Sequence, residues 1–113
     1  MINMLSAAKA AKAHVACLNT QQKNTALQEM AEALLAHQQE ILDANQADID
    51  KAQDKISPVM IDRLLLTPQR IEAMARGILD VAALPDPVGV ILDTYIRPDG
   101  LQIQKVSVPV GVV

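Results

Sequence analysis

Aromatic side chains are almost absent from this sequence. Its 113 residues include no Phe or Trp, and Tyr95 is the only aromatic residue, although half of the residues are hydrophobic. A hydrophobic core must therefore consist of Ala, Leu, Ile, Val and Met side chains. This composition favours closely packed helices over a β-sandwich, because the aromatic residues that suit strands are missing.

Cysteine is equally scarce, since Cys17 is the only one. A single cysteine excludes an internal disulfide and fits a reducing compartment. The sequence around Cys17 predicts a position near the C-terminal end of a helix, where the helix dipole opposes the thiolate that a catalytic cysteine needs. We therefore interpret Cys17 as a structural residue.

The sequence also lacks the features of several classes of binding protein. Its formal net charge of −3 provides no basic field for nucleic acid or an anionic membrane. No apolar run approaches the ~20 residues of a membrane-spanning helix, and the N-terminus does not have the pattern of a signal peptide. We therefore expect a cytoplasmic protein without a nucleic-acid or membrane partner.

No motif for catalysis or ligand binding is present. None of the four glycines falls in a phosphate-binding spacing, and the two histidines have no acid or thiol at zinc-ligand spacing. Three aspartates lack the order of a calcium-binding loop and are interpreted as solvated or capping residues; they are Asp43, Asp48 and Asp50. The sequence thus predicts no catalytic, cofactor-binding or metal-ligating residue.

The first two thirds of the sequence have helical periodicity. Apolar residues recur at steps of three and four from Leu5 to Leu18, and the same spacing continues in a second helix for which Thr20 is the predicted N-cap. Asn45 resembles the cap of a third, short helix. Ser57-Pro58 and Thr67-Pro68 predict two more, because each pair places a hydroxyl at the N-cap and proline at the first helical position.

After Gly89 the apolar period changes from helical to alternating, which indicates strands. Residues 97–100, Arg-Pro-Asp-Gly, predict a turn between two of them. Apolar residues fall at odd positions just after the turn and at even positions from Val106 onward. We expect this change near Lys105 to mark a bulge, or a strand that passes from one sheet to another.

The last segment, residues 106–113, is an apolar run of strand-like residues with no turn or polar cap. A strand without a sheet leaves unpaired backbone groups and bare apolar surface. We therefore expect this chain to be the front part of a larger protein.

Several stretches of the sequence together form a recognisable series. They are residues 7–11, 23–24, 41–48, 62–71, 86–89, 97–101 and 108–113. In this order and at this spacing they resemble the N-terminal segment of the γ-glutamyl phosphate reductase (glutamate-5-semialdehyde dehydrogenase) family, within the aldehyde dehydrogenase superfamily. The block Asp-Arg-Leu…Leu-Thr-Pro…Arg-Ile at residues 62–71 is the most specific part, whereas the Val-Pro-x-Gly-Val-Val ending is widespread in the superfamily.

The resemblance implies an α/β fold, of which this chain is a fragment. Residues 1–87 would form a helical N-terminal part of the cofactor-binding domain, and residues 88–106 a β-hairpin of an oligomerisation sheet. Residues 107–113 would be the first strand leading into a Rossmann-like core beyond this chain. The hairpin is thereby expected to make a subunit contact in a homo-oligomer, through Tyr95, Ile96 and Leu101.

The resemblance also implies the chemistry of the intact protein, which would reduce γ-glutamyl phosphate to glutamate-5-semialdehyde with NADPH in proline biosynthesis. A cysteine thiolate would displace phosphate to give a thioester, which hydride from the nicotinamide reduces. In the family, the nucleophile and the cofactor-binding residues come later in the chain. We therefore expect this segment alone to be inactive, partly structured and self-associating.

Two alternatives stay open. The first is a related reductase module, either that of a bifunctional pyrroline-5-carboxylate synthase or that of a CoA-acylating aldehyde dehydrogenase. The second is a free-standing helical interaction module without catalysis. That module predicts a polar, self-contained C-terminus, which differs from the apolar residues 106–113.

Overall fold

Five helices precede a two-stranded antiparallel sheet in the computed structural model, which describes residues 2–111. The helices are α1 (Ile2–Ala16), α2 (Thr20–Ala36), α3 (Gln38–Ala52), α4 (Pro58–Leu64) and α5 (Pro68–Ala82). The strands are β1 (Ile91–Ile96) and β2 (Gln102–Val106). The predicted order, a helical array followed by a β-hairpin, is therefore confirmed.

Two compact units make up the chain. One is Gln21–Leu84, and the other combines the residues up to Thr20 with those from Pro85 onward. Every buried hydrophobic side chain in the described part of the chain belongs to the first unit; these are Ala31, Ile49, Ile71 and Ala75. The predicted domain boundaries at residues 87 and 106 stay predictions.

The apolar face of α5 provides half of this core. Ile71 and Ala75 are fully buried, and Ile78 and Ala82 are half-buried. Their spacing of three and four residues places them on one side of the helix, as the sequence pattern predicts. Both α4 and α5 pack against α3, whose Ile49 is buried.

The two hydroxyl-proline pairs begin helices as predicted. Pro68 is the first residue of α5, and the Thr67 side chain accepts a hydrogen bond from the Arg70 N–H at 3.2 Å. Pro58 begins α4 in the same way, and Ser57 has the extended backbone of an N-cap. The Ser57 side chain, however, makes no capping hydrogen bond.

The prediction of a helix start at Asn45 is wrong. Helix α3 passes through this position without a break, from Gln38 to Ala52. The Asn45 side chain bonds instead to the backbone of Leu64 and Leu66 in another part of the unit. A polar side chain that favours a cap in a sequence pattern can occupy a helix interior when tertiary structure supplies its partners.

The predicted turn at residues 97–100 is confirmed. The Gly100 N–H donates to the Arg97 carbonyl at 2.9 Å, and the Arg97 N–H donates to the Leu101 carbonyl at 2.9 Å. Gly100 has a φ of 86°, which side-chain-bearing residues rarely adopt. The Asp99 carboxylate also accepts from the Leu101 N–H at 3.2 Å. The tight turn thus requires this aspartate and this glycine.

A β-bulge interrupts the hairpin near its open end. The pairing moves from Ile91–Val106 to Asp93–Lys105, so Leu92 is the extra residue. The bulge lies beside Lys105, as the change from odd to even apolar positions predicted. Its additional residue, however, belongs to β1 and not to β2. The extra residue returns Ile91 to the same face of the sheet as Val106, because directly paired residues share a face.

The predicted strand at residues 107–113 is absent from its described part. Residues 107–111 are irregular, and Val112 and Val113 lie outside the described residues. Only Ser107 continues the hairpin, since its N–H donates to the Val90 carbonyl and its carbonyl accepts from the Gly89 N–H, both at 3.0 Å. A strand needs a neighbouring strand to satisfy its backbone, and in residues 2–111 only β1 and β2 pair.

Candidate functional site

The β-hairpin carries the predicted interface residues at its surface. Tyr95 is 55% exposed, Ile96 is 70% exposed and Leu101 is 53% exposed. Large apolar side chains in solvent are informative when they cluster, because clusters mark interaction surfaces. The same segment also exposes Ile91, Leu92, Val106, Val108 and Val110. The hairpin and the residues that follow it are thus the main apolar surface of their unit.

The register divides these side chains between two faces. Tyr95 pairs with Ile103, and Ile96 pairs with Gln102. Because successive strand residues point to opposite faces, Tyr95 and Ile96 cannot belong to one patch. We call the two surfaces the Tyr95 face (Asp93, Tyr95, Ile103 and Lys105) and the Ile96 face (Ile91, Thr94, Ile96, Gln102, Gln104 and Val106). Leu101 lies beside the turn, opposite Arg97.

Ser107 holds the open end of the hairpin together. Its hydroxyl accepts a hydrogen bond from the Val90 N–H at 3.0 Å and donates to the Pro87 carbonyl. Its backbone makes the two bonds to Gly89 and Val90 described above. This serine, which the sequence pattern did not single out, therefore fixes the position at which β1 begins.

Asp86 stabilises the segment that precedes β1. Its carboxylate accepts from the Val88 N–H at 3.0 Å and from the Thr20 hydroxyl at 2.9 Å. The first bond forms a local turn of the kind that aspartate favours. The Asp-Pro-Val-Gly stretch at residues 86–89 therefore has a structural role ahead of β1.

The most specific block of the sequence, residues 62–71, forms a polar clamp around the connection between α4 and α5. The Asn45 side-chain carbonyl accepts from the Leu66 N–H at 2.8 Å, and its amide donates to the Leu64 carbonyl at 3.0 Å. Both bonds are half-buried. They satisfy peptide groups that the end of α4 leaves without helical partners.

Arg70 completes the clamp from within α5. Its guanidinium donates to the backbone carbonyls of Asp62 and Leu65, and to the Asp62 carboxylate at 3.3 Å. The ion-pair partner of Asp62 is therefore Arg70, eight residues away in the sequence. The clamp consists of structural contacts with no reactive group among them. The block therefore specifies the path of the chain at this point.

Cys17 and the histidines provide no reactive constellation. Cys17 is exposed, one residue beyond the end of α1, and it forms no disulfide. The His37 Nδ1 lies 3.3 Å from a Glu40 carboxylate oxygen, and both side chains are largely exposed. This contact is between neighbours one helical turn apart. The interpretation of Cys17 as a structural residue stays a prediction.

The three aspartates on α3 lie at the surface of the helix. Asp43 and Asp50 each accept a hydrogen bond from the glutamine four residues earlier, at 2.7 and 2.8 Å. Asp48 lies 3.8 Å from the Lys51 amine. Within residues 2–111 no group of three or more possible metal ligands comes together.

A second apolar surface lies in the helical unit. Met30, Ala33, Leu34, Ile41 and Ile78 line an open groove of about 320 Å³. Met30 is half-exposed, whereas Leu34, Ile41 and Ile78 are partly covered. The groove contains no titratable side chain, so it suits an apolar partner better than a polar substrate. None of the described helices is long and apolar enough to cross a membrane.

Comparisons with known proteins find relatives that share one name. The sequence is 52% identical over 100 residues to a protein named γ-glutamyl phosphate reductase from Shewanella denitrificans, covering 88% of this chain and 24% of the relative. It is 51% identical over 110 residues to a protein of the same name from Streptococcus suis, covering 97% of this chain and 27% of the relative. A scan against models of protein families gives no match.

Solved structures agree with the sequence comparison. The crystal structure of γ-glutamyl phosphate reductase from Thermotoga maritima superposes with a TM-score of 0.86 at 37% identity, over 90% of this chain and 25% of that one. The corresponding protein from Saccharomyces cerevisiae gives a TM-score of 0.82 at 30% identity, again over 90% of this chain, and over 26% of that chain. This chain therefore spans about a quarter of the length of the relatives that it matches.

Proposed function

We propose that this chain, which is homologous over most of its length to a segment of γ-glutamyl phosphate reductases, is the N-terminal part of such a reductase. The intact enzyme would convert γ-glutamyl phosphate to glutamate-5-semialdehyde in proline biosynthesis, with NADPH as the hydride donor, in the cytoplasm. The observation that carries this proposal is the 52% identity over 88% of the chain. Likeness of fold alone would support far less, because one fold hosts many functions.

The role proposed for the segment itself is structural. Its specific sequence block forms the clamp around Leu64 and Leu66, and Ser107 and Asp86 organise the base of the hairpin. The chain would provide a helical scaffold and a subunit contact in a homo-oligomer, the latter through the hairpin with Tyr95, Ile96 and Leu101. NADPH would supply the hydride when bound to the remaining part of the enzyme.

Complementation between two fragments tests the proposal. This chain is produced together with a polypeptide that covers the remaining three quarters of the Shewanella denitrificans reductase. The reaction is followed in the oxidative direction, as NADP⁺ reduction that depends on glutamate-5-semialdehyde and phosphate. We expect no turnover by either fragment alone and phosphate-dependent turnover by the pair. The matched control replaces this chain with the corresponding segment of the Shewanella enzyme itself.

Two results would contradict the proposal. Turnover by this chain alone would show that it contains the reactive groups. Turnover with the Shewanella segment but not with this chain would show that the likeness does not extend to function.

A further inference from the structure

We propose that Asp99 is a site of spontaneous isoaspartate formation, and that the folded turn at residues 97–100 slows this modification by holding both reacting groups in hydrogen bonds. The reaction joins the side-chain carboxyl of an aspartate to the main-chain nitrogen of the next residue. Asp99 is the only aspartate in the sequence that is followed by glycine. Because glycine has no side chain to hinder the attack, Asp-Gly is the aspartate pair most prone to it.

The modification needs no reagent other than water. The Gly100 nitrogen bonds to the Asp99 Cγ, and its proton leaves with the hydroxyl of the protonated carboxyl as water, which closes a succinimide ring. Water then adds to one of the two ring carbonyls. Addition at Cγ restores aspartate, whereas addition at the main-chain carbonyl carbon breaks the bond from that carbon to the Gly100 nitrogen. The second product is isoaspartate, in which the main chain runs through the former side chain, and no atom is oxidised or reduced.

The contacts of the reacting groups are local to the turn. The hydrogen bonds of Asp99 and Gly100 join them to Arg97 and Leu101. The Asp99 side chain is 56% exposed, so water reaches its carboxyl. No atom lies within 4 Å of the place that a Cβ of Gly100 would occupy. The reaction therefore depends on whether this turn is formed and not on a distant element of the fold.

The turn restrains the nucleophile. The Gly100 N–H donates to the Arg97 carbonyl at 2.9 Å, with Gly100 at a φ of 86°. The nitrogen must lose this proton before it can bond to Cγ, so the hydrogen bond has to break first. A net backbone hydrogen bond corresponds to about a 2–10-fold change in an equilibrium, and we expect the turn to reduce the population of the reactive conformation by at least this factor.

The turn also restrains the carboxyl group that is attacked. One Asp99 oxygen accepts from the Leu101 N–H at 3.2 Å, and the other lies 3.5 Å from an Arg97 guanidinium nitrogen. Rotation of Cγ toward the Gly100 nitrogen breaks both contacts. Arg97 is therefore a positioning residue that acts on both groups, through its carbonyl on the nucleophile and through its guanidinium on the carboxyl.

Isoaspartate at this position would disrupt the turn that formed it. The extra main-chain carbon moves the Gly100 N–H away from the Arg97 carbonyl, and the carboxylate that bonded to the Leu101 N–H becomes a shorter group on another carbon. A tight turn tolerates little change in length, because its two ends are held by the paired strands. The modification would thus weaken the hairpin at its closed end.

Cleavage by the endoproteinase Asp-N measures the modification, since this enzyme cuts before aspartate and not before isoaspartate. The chain is aged for several weeks in mildly acidic buffer, either folded or unfolded in guanidinium chloride. It is then digested, and the peptides are quantified by mass spectrometry. We expect cutting before Asp99 to decline while cutting before Asp93 is retained as the internal reference. The decline should be at least ~5-fold faster in guanidinium chloride, because the hydrogen bonds of the turn are then absent.

Two variants separate the sequence effect from the effect of the turn. In guanidinium chloride we expect Gly100→Ala to react several-fold more slowly than the unmodified chain, because its Cβ hinders the attack. In the folded chain we expect Arg97→Ala to react about 2–5-fold faster, the range for an exposed ion pair. Arg76→Ala, which removes an exposed arginine of α5, is the matched control and should react like the unmodified chain. The difference between the two arginine variants should disappear in guanidinium chloride.

Three results would overturn the inference. If cutting before Asp99 in guanidinium chloride persists as fully as cutting before Asp93, Asp99 is not a site of the modification. Equal rates in the folded and unfolded chain would show that the turn does not restrain the reaction. Folded Arg97→Ala that reacts no faster than Arg76→Ala would exclude the positioning role of the Arg97 guanidinium. None of these results affects the complementation assay, so the proposed reductase function is tested separately.

Discussion

The Asn45 side-chain carbonyl accepts a hydrogen bond from the Leu66 N–H at 2.8 Å, 21 residues away in the sequence. Its amide donates to the Leu64 carbonyl, so a single side chain ties the middle of α3 to the connection between α4 and α5. Few side chains other than asparagine can supply one donor and one acceptor at this reach. The position of the following helix, α5, and of its buried Ile71 depends on this connection.

We expect Asn45→Ala to lower the free energy of unfolding by about 1–3 kcal/mol, because it leaves two half-buried peptide groups without partners. Asn45→Asp keeps the acceptor for the Leu66 N–H but places a carboxylate against the Leu64 carbonyl, so it should also destabilise. Urea unfolding followed by far-ultraviolet circular dichroism measures both. Gln46→Ala, which removes an exposed bond to Asp50, is the control. If Gln46→Ala lowers the free energy of unfolding as much as Asn45→Ala does, the two bonds of Asn45 to the Leu64 and Leu66 backbone are not the cause of the effect.

Arg70 should contribute to the free energy of unfolding mainly through the two backbone carbonyls that it contacts. Its ion pair with the Asp62 carboxylate should contribute less. Its guanidinium reaches the backbone of Asp62 and Leu65 as well as the Asp62 carboxylate. We expect Arg70→Ala to cost about 1.5–3 kcal/mol, the range for hydrogen bonds to charged groups. Asp62→Asn should cost at most about 1 kcal/mol, because exposed ion pairs contribute little. If Asp62→Asn is as destabilising as Arg70→Ala, the carboxylate is the main partner and the interpretation is wrong.

Local signals in the sequence predicted the elements whose causes are local. Thr67-Pro68 begins a helix because the cap and the proline act within one turn, and Arg97 to Gly100 form a turn for the same reason. The period change after Gly89 likewise identified the hairpin. Each of these features depends on residues close together in the chain.

Asn45 and Ser107 show why the remainder could not be predicted. Both have side chains suited to caps and turns, and only the partners brought by the fold decide where they bond. An asparagine inside a regular helix is unfavourable unless its side chain has such partners, so its presence there indicates a tertiary contact. The faces of Tyr95 and Ile96 likewise depend on register, which the sequence alone did not establish. The proposed function rests on similarity to relatives, because no motif in the sequence indicates a reaction.

The two serine and threonine caps should differ in strength. The Thr67 hydroxyl accepts from the Arg70 N–H, whereas Ser57 occupies the same kind of position without a side-chain bond. We expect Thr67→Ala to lower the free energy of unfolding by about 1 kcal/mol. Ser57→Ala should change it by less than about 0.5 kcal/mol, like an ordinary surface substitution. Thermal and urea unfolding of the two variants compare them directly, and equal losses would show that the hydroxyl bond is not the cause.

Alanine in place of glycine should have opposite effects at two positions. Gly100 has a φ of 86°, and Gly77 lies inside α5 with open space around its would-be Cβ. We expect Gly100→Ala to destabilise the hairpin by about 1–2 kcal/mol, the cost of a side chain in the left-handed region. Gly77→Ala should stabilise the helix by about 0.5–1 kcal/mol. Unfolding experiments and backbone chemical shifts measure both effects. If the free energy of unfolding changes in the same direction in both variants, the conformational roles given to these two glycines are wrong.

The hydroxyl of Ser107 should control the exchange of one amide and leave its neighbour unaffected. The Val90 N–H donates to this hydroxyl, whereas the Gly89 N–H donates to the backbone carbonyl of the same serine. In Ser107→Ala we expect hydrogen exchange at Val90 to accelerate about 2–10-fold, which corresponds to a net hydrogen bond of about 0.5–1.5 kcal/mol. Exchange at Gly89 should stay close to that of the unmodified chain. Ser107→Thr keeps the hydroxyl and should restore the protection of Val90. Equal acceleration at both amides would instead show that the base of the hairpin opens as a whole, and that the hydroxyl does not act on Val90 alone.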